Sequence, residues 1–137
     1  MRGLLAGHSL LTMKATCLDG SLYATEETGA RVSVVDPTRL SPADMALAII
    51  SGQDEATLLD IPDALLALQT FPGEIKVIGP LSEFQVMGYG FRKDSPQLRE
   101  AFNDFFRRCR EDGTYRSLIE KYYPTVFLYQ DEFFEDF

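Results

Sequence analysis

The sequence predicts an α/β protein: an open mixed sheet flanked by helices, followed by C-terminal amphipathic helices. Three observations predict it. Short apolar runs alternate with helical stretches of about ten residues through roughly the first ninety positions, the pattern of a parallel or mixed sheet covered by helices. From Ser95 the apolar spacing changes to that of one helix face. The composition, 45% hydrophobic and 25% charged over 137 residues, is that of a globular chain long enough to bury a core.

The elements follow in order. Ser9 to Met13 is an apolar run between Gly7 and Lys14 and reads as a strand. Thr16 is placed to cap a helix with Asp19 three residues on; Leu18, Leu22 and Thr25 would share its apolar face, and Gly29 would close it. Arg31 to Val35 alternates like a strand and ends at Asp36-Pro37. A second helix carries Ser41 as cap, Pro42 at its first position and Asp44 at its third, with Met45, Ala48 and Ile49 as the apolar stripe. Glu55 to Leu59 reads as a buried strand running into Asp60-Ile61-Pro62-Asp63, a helix start. Ala64 to Leu68 is helical, and Pro72-Gly73 stops it. Ile75 to Ile78 and Phe84 to Phe91 are further strand expectations, the second interrupted by Gly88 and Gly90.

The strongest periodic signal lies beyond. Ser95 caps and Pro96 starts a helix in which Leu98, Ala101, Phe102, Phe105, Phe106 and Cys109 fall on one face. Asp112-Gly113 ends it. Thr114 opens another helix with Tyr115, Leu118, Ile119 and Tyr122, which Pro124 stops. From Asp131 the chain holds four acidic and three aromatic residues and no base. These changes divide it into an α/β portion, residues 1–92, a helical portion, 93–123, and an acidic aromatic tail, 124–137.

Lys plus Arg number 13 and Asp plus Glu 21, a net charge of −8. A pI near 4.6 argues against nucleic acid and anionic lipid as partners, since both select clustered basic charge. No run of 18 apolar residues is present, and His8, Ser9, Thr12 and Lys14 interrupt the N-terminal apolar stretch too early for a signal peptide. Cys17 and Cys109 permit one bridge at most and no zinc framework.

Few residues carry chemistry. The single histidine, His8, is expected to be structural or solvated. No Ser/His/Asp or Cys/His grouping, phosphate loop or metal-spaced cluster is visible, so no catalytic residue, metal or cofactor is expected, and the chain is expected not to be an enzyme. Cys17, beside a helix start, could have a lowered pKa, although a small buried residue is the plainer reading; Cys109 falls on the apolar stripe. Two places suit ligand binding better. Lys14-Ala15-Thr16-Cys17 ends a strand where a helix would begin, and helix N-termini offer N–H groups to anions. Asp60 lies at the carboxyl end of another strand, where open α/β sheets bind ligands, though from the residues alone a plain helix N-cap is the favoured reading. Together they could grip a zwitterion.

Five stretches then resemble one family. Leu5-Ala6-Gly7-His8-Ser9 resembles its "L-x-G-K-x-V" strand that enters the second lobe, and Met13-Lys14-Ala15-Thr16 its "x-x-G-T" ligand loop. Ile50 to Ala56 with Leu59-Asp60 resembles "L-x-x-G-x-x-D-A" followed by "x-D". Gly88 to Leu98 resembles "G-x-A-x-R-K-D-S-P-x-L", and Glu111 to Tyr123 matches "x-D-G-T-x" and "E-K-Y-F". In order and spacing these resemble the second lobe and C-terminal helices of type 2 periplasmic solute-binding proteins, family 3, which bind polar amino acids. The resemblance implies one lobe of that fold, in a periplasmic or extracellular setting. It also implies a small polar solute such as an amino acid, bound without chemistry for an ABC-type transport system with its membrane permease.

By the same resemblance Lys14, Thr16 and the N–H of Cys17 would hold a ligand carboxylate and Asp60 would face its ammonium. Ala15 stands where the family has a loop glycine, and Glu55 where it usually has Asp. The family's first lobe, with its clamping arginine, would lie before Met1. The stripe of Leu98, Phe102, Phe105 and Phe106 would then need cover, here expected from a second copy in a homodimer. The alternative is a sensor or regulatory module of the same fold from a signalling or cell-wall lytic transglycosylase protein. A third class is an enzyme on this fold, such as a dehydratase or a thiol hydrolase using Cys17.

Overall fold

The computed structural model describes residues 2–83 and 87–129. They fall into two compact units, divided after Glu83.

The first unit is built on a three-stranded parallel sheet. Strand β1, Ser9–Met13, is central; β2, Arg31–Val35, flanks it on one side and β3, Ala56–Thr57, on the other. Leu10 pairs with Val32 and Ala56, and Leu11 with Ser33 and Thr57. The expected open sheet flanked by helices is therefore present, and parallel throughout these strands. Leu10 through Met13 are all buried, which is why β1 reads as a continuous apolar run: a parallel strand covered on both faces has no solvent side to alternate toward. On one face Leu11 and Met13 pack with Leu18, Met45 and Ala48 from the loop after β1 and helix α1, Met45–Ile50. On the other, Thr12 meets Gly20 and Thr25; a Cβ at Gly20 would collide with Thr25 Oγ1 and lie 2.9 Å from Thr12 Cγ2.

Helix α1 follows its sequence signals. Pro42–Asp44 form a preceding 3-10 turn, and the Asp44 carboxylate accepts from the Ser41 N–H at 3.1 Å and from its hydroxyl at 2.5 Å. Helix α2, Ile61–Thr70, starts after Asp60 with Pro62 in its first turn and runs past the expected Ala64–Leu68 at both ends. It buries Leu65 and Ala67.

Several expectations are corrected. No α-helix follows Thr16. Residues 14–19 form a turn, and two 3-10 helices, Gly20–Tyr23 and Thr25–Thr28, are separated by Ala24 at φ 49°. Asp19, not Thr16, is the N-cap. At three residues per turn the expected face breaks up: Leu18 and Thr25 are buried, whereas Leu22 is exposed. Gly29 does close this region, in the left-handed conformation at φ 78°. Of Glu55 to Leu59 only Ala56 and Thr57 join the ladder; Leu58 and Leu59 turn into the core instead. Ile75 to Ile78 pairs with no strand among the described residues. Of Phe84 to Phe91, residues 84–86 lie outside the described residues and 87–91 are not strand, as two glycines in five positions disfavour.

The second unit holds α3, Pro96–Glu111, and α4, Thr114–Tyr122, as the periodicity predicts. Gly113 at φ 79° turns the chain between them, and Asp112 accepts the Thr114 N–H at 2.8 Å. Phe102 and Phe106 stack at 6.1 Å; Tyr89 and Phe91 contact Phe102 at 4.8 and 5.3 Å, and Tyr115 meets Phe106 edge-on at 5.1 Å. No residue of α3 or α4 is buried. Pro124–Leu128 adds a 3-10 turn that buries Val126. The tail from Asp131 lies outside the described residues.

Candidate functional site

Parallel strands put all their carboxyl ends on one side of a sheet. Here those ends carry Lys14 after β1, Asp36 after β2 and Asp60 after β3. The Lys14 ammonium lies 2.8 Å from Asp36 Oδ2, and the Lys14 N–H donates to Val35 O at 3.1 Å. The Lys14 contact, together with the N–H and hydroxyl of Thr38, holds the Asp36 carboxyl well below the usual carboxylate range.

The turn after β1 is closed upon itself. Ala15 takes φ 56°, the left-handed conformation suited to glycine, and its N–H donates to Asp19 Oδ2 at 2.9 Å. Thr16 Oγ1 donates to Met13 O at 2.9 Å and accepts from Leu18 N–H at 3.0 Å. Asp19 also takes the N–H and hydroxyl of Ser21, which together with the Ala15 bond lower its carboxyl pKa. The expected helix N-terminus is thus replaced by an Asp-centred turn, in which the Asp19 carboxylate takes the N–H groups of Ala15 and Ser21.

Cys17 and Asp60 meet, although 43 positions separate them. The thiol donates to Asp60 Oδ2 at 3.1 Å, and the Tyr23 hydroxyl donates to Cys17 O at 2.8 Å. The expectation of a lowered thiol pKa is corrected. The bond to Asp60, partial burial and the Asp60 charge push the Cys17 thiol upward. Cys17 is exposed rather than buried, and both cysteines are free. Asp63, in the first turn of α2, is pushed up by burial and by the Asp60 charge.

All four expected ligand residues therefore lie at the carboxyl-end side of the sheet: Lys14, Thr16 and Cys17 in one turn, and Asp60 bonded to that turn. Asp36 was not anticipated, and neither was Tyr23. The strand-end rule that singles out Asp60 would have found Asp36, which instead reads as a simple strand stop before Pro37. Lys14, Asp36 and Arg39 also border an open depression of about 690 Å³, with the buried Asp54 carboxylate accepting from the Ser33 hydroxyl at 3.2 Å.

Glu55 sits at the opposite end. It accepts from Ser9 N–H at 2.8 Å and His8 Nδ1 at 3.1 Å, and its own N–H donates to Ser9 Oγ. The Ser9 bond and then the His8 bond lower its pKa. It staples β3 to the start of β1, a structural task, and His8 is part of that staple. Among the described residues no group of three His, Cys, Asp or Glu side chains gathers as a metal would need, and no helix is long and apolar enough to cross a membrane.

Comparison with known proteins gives these relatives. The membrane-bound lytic murein transglycosylase F of Desulfosudis oleivorans is 25% identical over 122 residues, 89% of this chain and 27% of that protein. The histidine-binding periplasmic proteins of Salmonella typhimurium and Escherichia coli are 50% identical over 36 residues, 26% of this chain and 14% of theirs. The chain thus spans about a quarter or less of the curated relatives it matches. No solved structure matches with statistical support. The expectation that the protein is not an enzyme is overturned: the relative that matches nearly the whole chain is named as a transglycosylase, an enzyme. The sequence model of the bacterial extracellular solute-binding proteins, family 3, matches residues 8–125, and the chain belongs to that family.

Proposed function

We propose that this chain forms one wall of a binding site for a small zwitterionic solute, an amino acid, outside the cytoplasm. The carrying observation is that the carboxyl ends of β1, β2 and β3 gather Lys14, Asp36, Cys17 and Asp60 on one side of the sheet. Lys14 and the turn of Thr16 and Cys17 would face the solute carboxylate, and Asp60 its ammonium. The likeness to histidine-binding periplasmic proteins favours a polar amino acid, and an ABC-type transport system with its permease is the setting that likeness suggests. Residues 1–92 would serve as the ligand lobe. Residues 93–123 would be helices that need a covering surface, supplied by a second copy against Leu98, Phe102, Phe105 and Phe106; 124–137 would be an appended tail.

The test is thermal unfolding against a panel of amino acids that includes histidine. A solute that binds only the folded state at about 100 times its Kd adds about 2.7 kcal/mol. A shift for one solute that disappears in Asp60→Ala supports the reading. An equal shift in that variant removes Asp60 from the site, and no shift for any solute overturns it. The homodimer is checked by sedimentation across a dilution series, where a monomer at all concentrations defeats it.

A second reading is favoured by the match of 89% of this chain to a lytic transglycosylase of which it is 27%. In this reading the segment is a solute-responsive module of a larger protein that acts on murein. A murein-degradation assay on the intact protein, with and without the solute found above, decides. Degradation that the solute modulates selects this reading over transport.

A further inference from the structure

We propose that the Cys17 thiol is the positioning group of the Asp60 carboxylate in the solute site, so that blocking this exposed thiol weakens solute binding. The inference rests on the solute-site reading above and adds a control element to it.

Asp60 occupies the N-cap position of α2, with the extended backbone (φ −66°, ψ 151°) that a capping residue takes. Pro62 has no N–H, so the Asp63 N–H is the donor a capping carboxylate would seek. Asp60 makes no such bond. Its Oδ2 accepts instead from the Cys17 thiol, which ties the carboxyl end of β3 to that of β1. A capping side chain that leaves the cap unmade and bonds a thiol 43 residues away is oriented by that thiol. The holding group is itself fixed, because the Tyr23 hydroxyl grips the Cys17 carbonyl at 2.8 Å.

The proton inventory agrees. An ionised carboxylate only accepts, so the thiol must keep its proton to make this bond. Asp60 and burial push the thiol pKa up and keep that proton in place at neutral pH. The thiol engages Asp60 Oδ2, which leaves Oδ1 to meet an ammonium group. Remove the thiol proton by alkylation, and Asp60 loses its anchor and is free to swing to the α2 cap.

The test uses the full chain with Cys109→Ser, so that Cys17 is the one thiol. Iodoacetamide is the probe: the sulfur attacks the methylene carbon, an S–C bond forms, the C–I bond breaks, iodide leaves, and the thiol proton passes to buffer. Asp60→Ala should raise the alkylation rate at neutral pH about three-fold or more, because the thiolate fraction rises when the neighbouring charge is gone. An unchanged rate overturns the pairing without reference to any solute.

The binding arm then uses the amino acid that stabilises the chain. Cys17→Ser keeps a donor and should hold affinity within about three-fold; Cys17→Ala should lose about ten-fold, the scale of one hydrogen bond to a charge. Thermal stability without solute should stay level or rise in Cys17→Ala, as Asp60 moves to the cap. That opposite movement of stability and affinity is what a merely structural cysteine would not produce. Wild-type affinity in Cys17→Ala overturns the positioning role while leaving the solute site intact. Affinity lost equally in the Ser and Ala variants overturns it as well. Loss of binding in Asp60→Ala with no effect of Cys17→Ala separates a sound solute site from a failed positioning proposal.

Discussion

Met13 and Met45 in the first unit and Leu98 and Phe105 in the second are all large apolar residues placed by regular periodicity, yet they meet opposite fates. The two methionines are 0% exposed, whereas Leu98 is 61% and Phe105 56% exposed. The cause lies in architecture. In the first unit a parallel strand receives cover on both faces, from α1 on one and from the 3-10 segments on the other. In the second, the described residues bring Phe102, Phe106, Tyr89, Phe91 and Tyr115 together beside α3, while Leu98 and Phe105 stay exposed. Periodicity tells a helix which side is apolar; it does not supply the surface that side requires.

The largest effect should come from breaking the covered side. Met45→Ala removes a fully buried side chain between α1 and the sheet and should cost about 2–5 kcal/mol. Native-state hydrogen exchange checks it by region: β1 amides should lose protection while α3 amides change little. Equal losses in both would mean that the two units unfold as one. Gly20→Ala attacks the opposite face of the same sheet. Its new methyl group would press on Thr25 and Thr12, both buried, and overpacking of this kind costs about 1–3 kcal/mol. A neutral result would show that the 3-10 segment lies looser on the sheet than its packing suggests.

The uncovered side should respond less. Phe102 sits at the centre of the aromatic group but is only half-buried, so Phe102→Ala should cost about 1 kcal/mol through lost ring contacts. A loss as large as that of Met45→Ala would mean that a partner surface covers α3 in solution, which would sharpen the homodimer proposal.

Legibility in the sequence followed the same division. Strands β1 and β2 appear at the residues their apolar runs mark, and α3 and α4 where the helical spacing puts them, because local pattern suffices for each. The segment from Thr16 to Gly29 misled: its i, i+4, i+7 spacing promised an α-helix. The Asp19 turn and the left-handed Ala24 break it into 3-10 pieces, a tertiary choice driven by the tight seat of Gly20 against Thr12. For Ile75 to Ile78, apolar residues in sequence did not find a neighbouring ladder. That Lys14, Thr16, Cys17 and Asp60 lie at strand ends was legible from the apolar runs that precede them. The Cys17–Asp60 bond was not, because sequence carries no distance between residues 43 apart. Asp36 was missed for a different reason, since an Asp-Pro pair satisfies the reading of a strand stop so fully that nothing invites a second role.

A smaller effect tests the turn that joins the core to the site. Ala15 holds φ 56°, where a Cβ is strained, at the position where the family resemblance places glycine. Ala15→Gly relieves that strain but gives the unfolded chain more freedom, so the two terms partly cancel. The net should be a gain of about 0.5–1 kcal/mol in thermal unfolding. A loss would mean that the alanine methyl group makes contacts worth more than the strain it bears.

The smallest effect lies at the exposed edge of the site. The Lys14 ammonium, then the N–H and hydroxyl of Thr38, depress the Asp36 carboxyl below its unfolded value. A depressed carboxylate contributes stability that is fully present above the unfolded pKa, about 3.9, and is lost as pH falls through the folded value. Lys14→Met removes the largest of these causes and leaves the Thr38 bonds in place. The acid unfolding midpoint should therefore move to higher pH, by less than complete removal of the Asp36 carboxylate would move it. Both partners are partly exposed, so the difference between wild type and variant should shrink in 1 M salt, where screening extends only about 3 Å. An acid midpoint that Lys14→Met leaves unmoved would mean that the Lys14–Asp36 contact is not held in solution. The Lys14 ammonium would then stand free at the carboxyl end of β1, and the Thr38 bonds alone would depress the Asp36 carboxyl.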